Sequence, residues 1–226
     1  MSERIAIVVG AGGELGRATA QALAATGYTV VGVDRSEEGL KQLPDGIRRE
    51  AGDAVDPAAA KSLIDKIAAE VGPPEVLVNT IGTFRLGEAV TATPEDLKLL
   101  MDVNLGAALW LSQAVEPYMR QQGKGSIVHV SARPGTDPTA GIAAYSLSKA
   151  ALSHLVRILD LELRPHGIRV NAVAPQLINT ALNRTLFPPE QLTSAVEPEA
   201  VANVIAFLAG DLAAPVSGAI VPAYGG

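Results

Sequence analysis

A phenol and an ammonium stand four residues apart in Tyr145-Ser146-Leu147-Ser148-Lys149. On a helix that spacing puts both side chains on one face. A nearby cation favours phenolate over phenol and lowers a tyrosine pKa from about 10. A tyrosine tuned in this way exchanges a proton with a substrate near neutral pH. The pair alone is a weak signal, because many surface helices carry it by chance and a tyrosine in such a place can simply pack. Its weight comes from a glycine-rich turn near the N-terminus and from Asn104, midway along the chain.

Gly10-Ala11-Gly12-Gly13-Glu14-Leu15-Gly16 lies between a strand-like run and a segment with helical periodicity. Glycines there permit a tight turn and a close approach of backbone to a pyrophosphate, which rests on the helix N-terminus. An ordinary glycine-rich turn would look similar, but Asp34 follows at the end of the second strand-like run. An acidic group about twenty residues past the glycines accepts hydrogen bonds from an adenosine ribose. The expected dinucleotide contacts are therefore Gly10, Gly12, Gly13, Leu15, Gly16 and Asp34. The Asp34 carboxylate would repel a 2′-phosphate, which favours NAD(H) over NADP(H). Arg35 keeps NADP(H) open, since a guanidinium turned inward would pair with that phosphate. Glu14 would repel a pyrophosphate if it pointed inward, so it is expected to face solvent.

These groups need elements to hold them, and the chain alternates strand and helix. Ile5–Val9 is a short continuous apolar run of the kind buried in parallel sheets. Residues 30–33, 76–78, 127–130, 170–173 and 219–221 repeat the theme. Between them, residues 16–26, 57–71, 94–122, 144–164 and 198–209 have helical periodicity. Pro57, Pro94 and Pro198 suit first-turn positions, and Gly27, Gly72, Gly123 and Gly167 fall where helices should stop. The β-α-β order implies one α/β domain over residues 1–226, with a doubly wound parallel sheet of about seven strands and helices on both faces. No linker or repeat interrupts it. Residues 134–141 and 180–198 form the longer loops, both expected at the carboxyl edge of the sheet, where ligands bind in such folds.

Composition narrows the partners. The 226 residues are enough for one sizeable core. A net charge of −6 without a basic block argues against nucleic acid. No apolar run approaches the ~20 residues of a membrane span, and a strand-like run starting at Ile5 leaves no room for a leader. With no cysteine, disulfides and thiolate metal sites are excluded, which suits a cytoplasmic protein. His129, His154 and His166 show no ligand spacing, so no metal is expected.

Taken together, Gly10/Gly13/Gly16, Asp34, Asn79, Asn104, Tyr145 and Lys149 resemble the short-chain dehydrogenase/reductase superfamily over essentially the whole chain. The resemblance implies a Rossmann fold and an oxidoreductase that moves hydride between a nicotinamide and a carbonyl or hydroxyl of a small-molecule substrate. It implies catalytic roles for Tyr145, Lys149 and Asn104, the last on a helix that holds a proton-relay water, although a capping or kink role is open for Asn104. Tyr145 and Lys149 would also touch the coenzyme. Asp53, followed by Ala54, matches the carboxylate that meets the adenine, with a plain turn role as the alternative. Asn79-Thr80-Ile81-Gly82 matches the stretch that lines the coenzyme through Asn79, Ile81 and Gly82. Pro175, Ile178 and Thr180 match the segment beside the nicotinamide. Residues 178–198 would form a short substrate cap, in which Arg184, with Arg133 outside it, attracts an anionic substrate or merely faces solvent. The tail, residues 219–226, matches a subunit contact. Trp110 suits either a helix-paired interface or core packing. A homodimer or homotetramer is expected.

The departures from the family pattern are specific. Val9 replaces a threonine, Glu14 a glycine of the turn, and Gln176 a glycine after Pro175. The serine that normally lies thirteen residues before the tyrosine is Ala132. Ser131, one residue earlier, should point to the opposite face of an extended strand, and a slipped register would bring it into the site as a fourth catalytic candidate. Loss of that serine removes a donor worth ~3 kcal/mol, or 10²–10³ in rate. The serine-less site, the Gly-x-x-Gly-x-x-Gly turn, the short cap and Phe84 resemble the quinonoid dihydropteridine reductase branch, which uses NADH. A non-catalytic NAD(H)-binding protein is the reading from another class.

Overall fold

Seven parallel strands form one sheet in the order β3-β2-β1-β4-β5-β6-β7. They are β1 (Ile5–Val9), β2 (Thr29–Asp34), β3 (Arg48–Ala51), β4 (Val76–Asn79), β5 (Gly125–Val130), β6 (Ile168–Pro175) and β7 (Ile220–Ala223). This computed structural model describes residues 3–225, so Met1, Ser2 and Gly226, the last residue of the expected tail contact, lie outside the described residues. The helices are α1 (Glu14–Ala25), α2 (Glu37–Lys41), α3 (Pro57–Glu70), α4 (Pro94–Met101), α5 (Ala107–Gln122), α6 (Ala143–Leu163), α7 (Ala181–Leu186), α8 (Pro189–Leu192) and α9 (Pro198–Ala209).

Side chains alternate across each strand, so the buried strands feed two cores. Ala6 and Val8 of β1 join Leu15 and Leu23 of α1 and Val201, Ile205 and Leu208 of α9 on one face. Ile7 and Val9 join Leu63, Ile64 and Ile67 of α3, Leu111 and Val115 of α5 and Val156 of α6 on the other. Full burial of a side chain such as Leu23 or Leu111 contributes about 1.5–3 kcal/mol. Pro57, Pro94 and Pro198 open their helices as expected. Gly27, Gly72, Gly123 and Gly167, placed where helices should stop, all take positive φ.

Two sequence expectations need correction. The seventh strand is β3, Arg-Arg-Glu-Ala, an edge strand with three exposed residues and no apolar run to announce it. The helix expected over residues 94–122 is not continuous. Residues 102–106 widen into a π-helical turn, which separates α4 from α5. Asn104 lies inside that turn, and its side-chain bonds, described below, account for the break.

Strands β2 and β3 lie to one side of β1, and β4 to β7 to the other. The order reverses between β1 and β4, so a crevice opens at the carboxyl ends of these two strands. The turn after β1, the end of β4, the loop after β5 and the segment after β6 all emerge along that edge.

Candidate functional site

The glycine turn is built for close approach. Gly10 has φ +88°, and a Cβ there would lie 2.5 Å from Thr80 Oγ1 at the end of β4. A Cβ on Gly16 would lie 2.1 Å from the Gly10 carbonyl oxygen. Gly13, by contrast, is exposed and its missing Cβ would meet nothing nearer than 3.5 Å. The turn thus packs tightly on its inner side and leaves backbone open on its outer side, the shape a pyrophosphate needs. Asp34 sits beside it at the end of β2. Its Oδ2 accepts from Gly12 N at 3.0 Å and its Oδ1 from Ser36 N at 2.9 Å. A carboxylate offers about four acceptor sites, so both oxygens retain capacity for a ribose. Arg35 is exposed one residue further on. Leu15 and Ala54 are buried, one in each of the two cores. Asp53 makes a turn bond, its Oδ1 accepting from Val55 N at 2.9 Å.

The end of β4 is fixed by a buried polar chain. Asn79 Oδ1 accepts from Ile81 N at 3.0 Å, and Asn79 Nδ2 lies 3.5 Å from His129 Nδ1. Ser112 Oγ donates to the Ala108 carbonyl and lies 3.1 Å from His129 Nε2. With the serine proton committed, the network assigns the imidazole proton to Nε2 and leaves Nδ1 to accept from Asn79. Burial and the Lys149 charge push the His129 pKa down to about 3, so the ring stays neutral. Sequence reasoning gave His129 a structural role without finding this one.

Asn104 Oδ1 accepts from Thr83 N at 2.8 Å, while its Nδ2 donates to Thr83 O at 3.0 Å and Ser148 Oγ at 2.9 Å. These bonds tie the π turn to the loop after β4 and to α6. Ser148 Oγ donates to the Tyr145 carbonyl at 2.8 Å, so Asn104 and Ser148 together lock the first turns of α6. Ser148 was not singled out in the sequence, although its place three residues past Tyr145 puts it on the same helical face.

Lys149 is 3% exposed and its Nζ donates to the Val130 carbonyl at 2.8 Å. A Cβ on Gly82 would lie 3.4 Å from that Nζ and 3.4 Å from Asn104 Oδ1, so Lys149, Asn104 and the end of the β4 loop converge. Gly135 presses the loop after β5 onto α6, where a Cβ would lie 2.8 Å from the Lys149 carbonyl. Burial pushes the Lys149 pKa down to about 8 and the Tyr145 pKa up to about 12. The expected lowering of the Tyr145 pKa is therefore absent from this arrangement. The lysine ammonium is directed to a β5 carbonyl, and desolvation of the phenolate dominates. Tyr145 is half-buried, with its ring edge-on to Phe84 at 4.9 Å between centroids; Phe84 in turn lies 5.8 Å from Phe187 at the end of α7.

Ser131 does not reach this site. It is 2% exposed, and its Oγ donates to Lys149 O at 3.2 Å and pairs with Ser153 Oγ at 2.8 Å. The register is not slipped. Ser131 N bonds Val173 O in the continuing β5–β6 ladder, and Ser131 points into α6. Ala132 holds the serine position.

The segment after β6 returns to the glycine turn through Ala181 and to Phe84 through Phe187. Pro175 ends β6, Ile178 bridges to Val196, and Thr180 caps α7 by accepting from Asn183 N at 3.2 Å. Both arginines proposed to attract an anion are engaged within the protein. Arg133 donates to Asp137 and Gln176 and lies over the Tyr224 ring. Arg184 donates to Asn179 Oδ1 at 2.8 Å. Glu14 does not simply face solvent either: its Oε2 accepts from Ala181 N at 2.7 Å. Trp110 packs against the α3–α5–α6 core and lines a cavity of about 350 Å³ between α3 and α5.

A seven-stranded parallel sheet with a dinucleotide turn at its switch point and a Tyr-x-x-x-Lys helix beside it defines a class, and the comparisons agree. The short chain dehydrogenase family model matches residues 4–191, and the chain belongs to that family, whose members are oxidoreductases using nicotinamide coenzymes. It is 34% identical to FabG, a 3-oxoacyl-(acyl-carrier-protein) reductase of Escherichia coli, over 99% of this chain and 96% of the relative. It is 34% identical to galactitol 2-dehydrogenase of Rhizobium johnstonii, over 96% and 91%. Among solved structures, a variant of actinorhodin polyketide ketoreductase with NADPH superposes with a TM-score of 0.92 at 26% identity, covering 99% of this chain and 97% of that one.

Proposed function

We propose that the protein transfers hydride between a nicotinamide dinucleotide and a carbonyl/hydroxyl pair of a small molecule, with Tyr145 as the acid/base group and Lys149 as its electrostatic support. The coenzyme, when bound, supplies the hydride and the electrons. Gly10, Gly12, Gly13, Leu15 and Gly16 would cradle its pyrophosphate and Asp34 its adenosine ribose. Asn79, Ile81, Gly82, Pro175, Ile178 and Thr180 would line the nicotinamide half. The Asp34 carboxylate beside Gly12 supports a preference for NAD(H), with exposed Arg35 as the group through which NADP(H) would be accommodated. The polyketide ketoreductase to which this chain is similar was solved with NADPH, and that likeness supports NADP(H) instead.

The observation that carries this reading is Lys149. A buried ammonium is costly, and here a backbone carbonyl is its hydrogen-bond acceptor, with no salt bridge to it among the described residues. Packing does not explain a charge in that place, whereas a reaction site that needs a cation where Asn104, Gly82 and the Tyr145 helix converge does. Asn104 would keep the π turn and α6 in register for proton delivery to Tyr145. The test is Tyr145→Phe with NADH and NADPH over a panel of ketones, sugars, quinones and quinonoid pterins. Turnover should fall by about 10²–10⁴ while coenzyme binding by fluorescence persists. Unchanged turnover refutes the assignment.

Ala132 and the Phe84–Tyr145–Phe187 cluster favour a narrower reading, in which the substrate is flat and conjugated, as a quinonoid ring is. Charge developing on such an acceptor is delocalised, so one donor suffices where a simple ketone needs two. The same cluster and the intact Tyr145–Lys149 pair weigh against a purely coenzyme-binding role. Exposed Leu147 and Leu161 on α6 support pairing of subunits through that helix.

A further inference from the structure

Glu14 stands where the family pattern has a glycine of the turn, and the structure gives it a partner 167 residues away. It is the first residue of α1, and Ala181 is the first residue of α7. The Ala181 N–H is one of the first-turn donors that a helix cannot satisfy from within, and Glu14 Oε2 accepts it at 2.7 Å. Glu14 Oε1 lies 3.8 Å from Arg184 Nη2, on the next turn of the same helix. Arg184 donates to Asn179 Oδ1 at 2.8 Å, and Asn179 Nδ2 donates to Glu197 Oε1 at 2.7 Å. A chain of polar contacts therefore runs through the cap from α1 to the start of α9. At the far end of α7, Phe187 meets Phe84, which meets Tyr145.

The same N-terminal turn of α1 thus does two things. Its backbone faces the place proposed for the pyrophosphate, and its first side chain grips the cap. We propose that Glu14 is a positioning residue that latches the cap over bound coenzyme, so that coenzyme enters and leaves only when the Glu14–Ala181 contact breaks. Closure sets Thr180 and Phe187 over the nicotinamide end; opening frees both. The latch itself rests on geometry alone. Its effect on coenzyme release rests on the oxidoreductase reading, and the two are measured separately.

The experiment compares Glu14→Ala with Glu14→Gln in the full chain. Both remove the negative charge near the pyrophosphate, but only glutamine keeps an acceptor for Ala181 N–H, so the contrast between them isolates the latch. In the coenzyme-free protein, amide exchange over residues 181–187 should run up to about tenfold faster in the alanine variant than in the glutamine variant, the value of one neutral hydrogen bond. NADH and NADPH release by stopped-flow fluorescence should show a similar ratio of about tenfold. Equal exchange in the two variants overturns the latch. Faster exchange with equal release rates overturns its control of the coenzyme. If neither nucleotide binds any form of the protein, the oxidoreductase reading falls, and the exchange ratio still decides the latch.

Discussion

Replacing Lys149 with methionine should make the protein more stable and leave it inactive. The lysine is 3% exposed, and burial moves its pKa from the ordinary 10.5 to about 8. A displacement of that size corresponds to about 3 kcal/mol in favour of the neutral amine. The unfolded chain holds the proton up to about pH 10.5, whereas the folded protein releases it near 8. Below about pH 8 both states are protonated and the folded state bears the full cost. Between these values the unfolded state binds more protons, so stability climbs with pH and the cost fades. Methionine fills a similar volume without charge and forfeits the bond to the Val130 carbonyl, worth about 1 kcal/mol. The net gain at neutral pH is then roughly 2 kcal/mol, or about 4–8 °C in melting temperature for a domain of this size. The assay is urea unfolding of wild type and Lys149→Met from about pH 7 to 10. The advantage should shrink to nearly zero by about pH 9.5–10. Taking the difference between the two proteins removes titrations that Lys149 does not touch; Tyr145, whose pKa is raised by burial, lowers stability above about pH 10 in both. A variant less stable than wild type at neutral pH, or an advantage that does not fall with pH, refutes the account of Lys149 as a strained, functional charge.

Two further outcomes follow from the site. Asp34→Asn keeps an acceptor for Gly12 N but removes the charge, so the ratio of NADPH to NADH affinity should rise by about tenfold in fluorescence titrations; an unchanged ratio removes Asp34 as the selector. Ala132→Ser restores a hydroxyl at the end of β5. If the natural substrate is a flat conjugated acceptor, the variant should gain up to ~10²-fold on simple ketones and little on quinones. An equal gain on both classes argues against the conjugated-substrate reading.

Much of the fold was legible because buried parallel strands write themselves as short apolar runs. Ile5–Val9 is fully buried and faces two cores at once, which leaves no place for a polar residue. The edge strand β3 was not legible for the opposite reason. Its pairing with β2 is made by backbone, and Arg48, Arg49 and Glu50 carry no hydrophobic signature. The break between α4 and α5 was equally hidden. Periodicity over residues 94–122 is nearly continuous across the π turn, and what opens it is a tertiary grip by Asn104 on Thr83, twenty-one residues back along the chain.

In the site, the residues that act through backbone or through spacing were readable, and those that act through side-chain direction were not. A glycine at a βα turn and a tyrosine four residues from a lysine announce their geometry. Whether the Lys149 ammonium serves Tyr145 or a β5 carbonyl depends on rotamers that spacing leaves free. Alternation along a strand did decide Ser131, because two neighbours on β5 must face opposite ways, and Ser131 is spent on α6 while Ala132 keeps the position beside the crevice. Glu14 was misplaced because repulsion from an expected pyrophosphate was weighed alone. The missing consideration was an attractive partner: a second helix start, brought to the same edge by the chain after β6, with an N–H that nothing in its own helix satisfies. Charged residues beside a ligand crevice are therefore read well only when every helix end converging on that crevice is counted, and the strand order supplies that count.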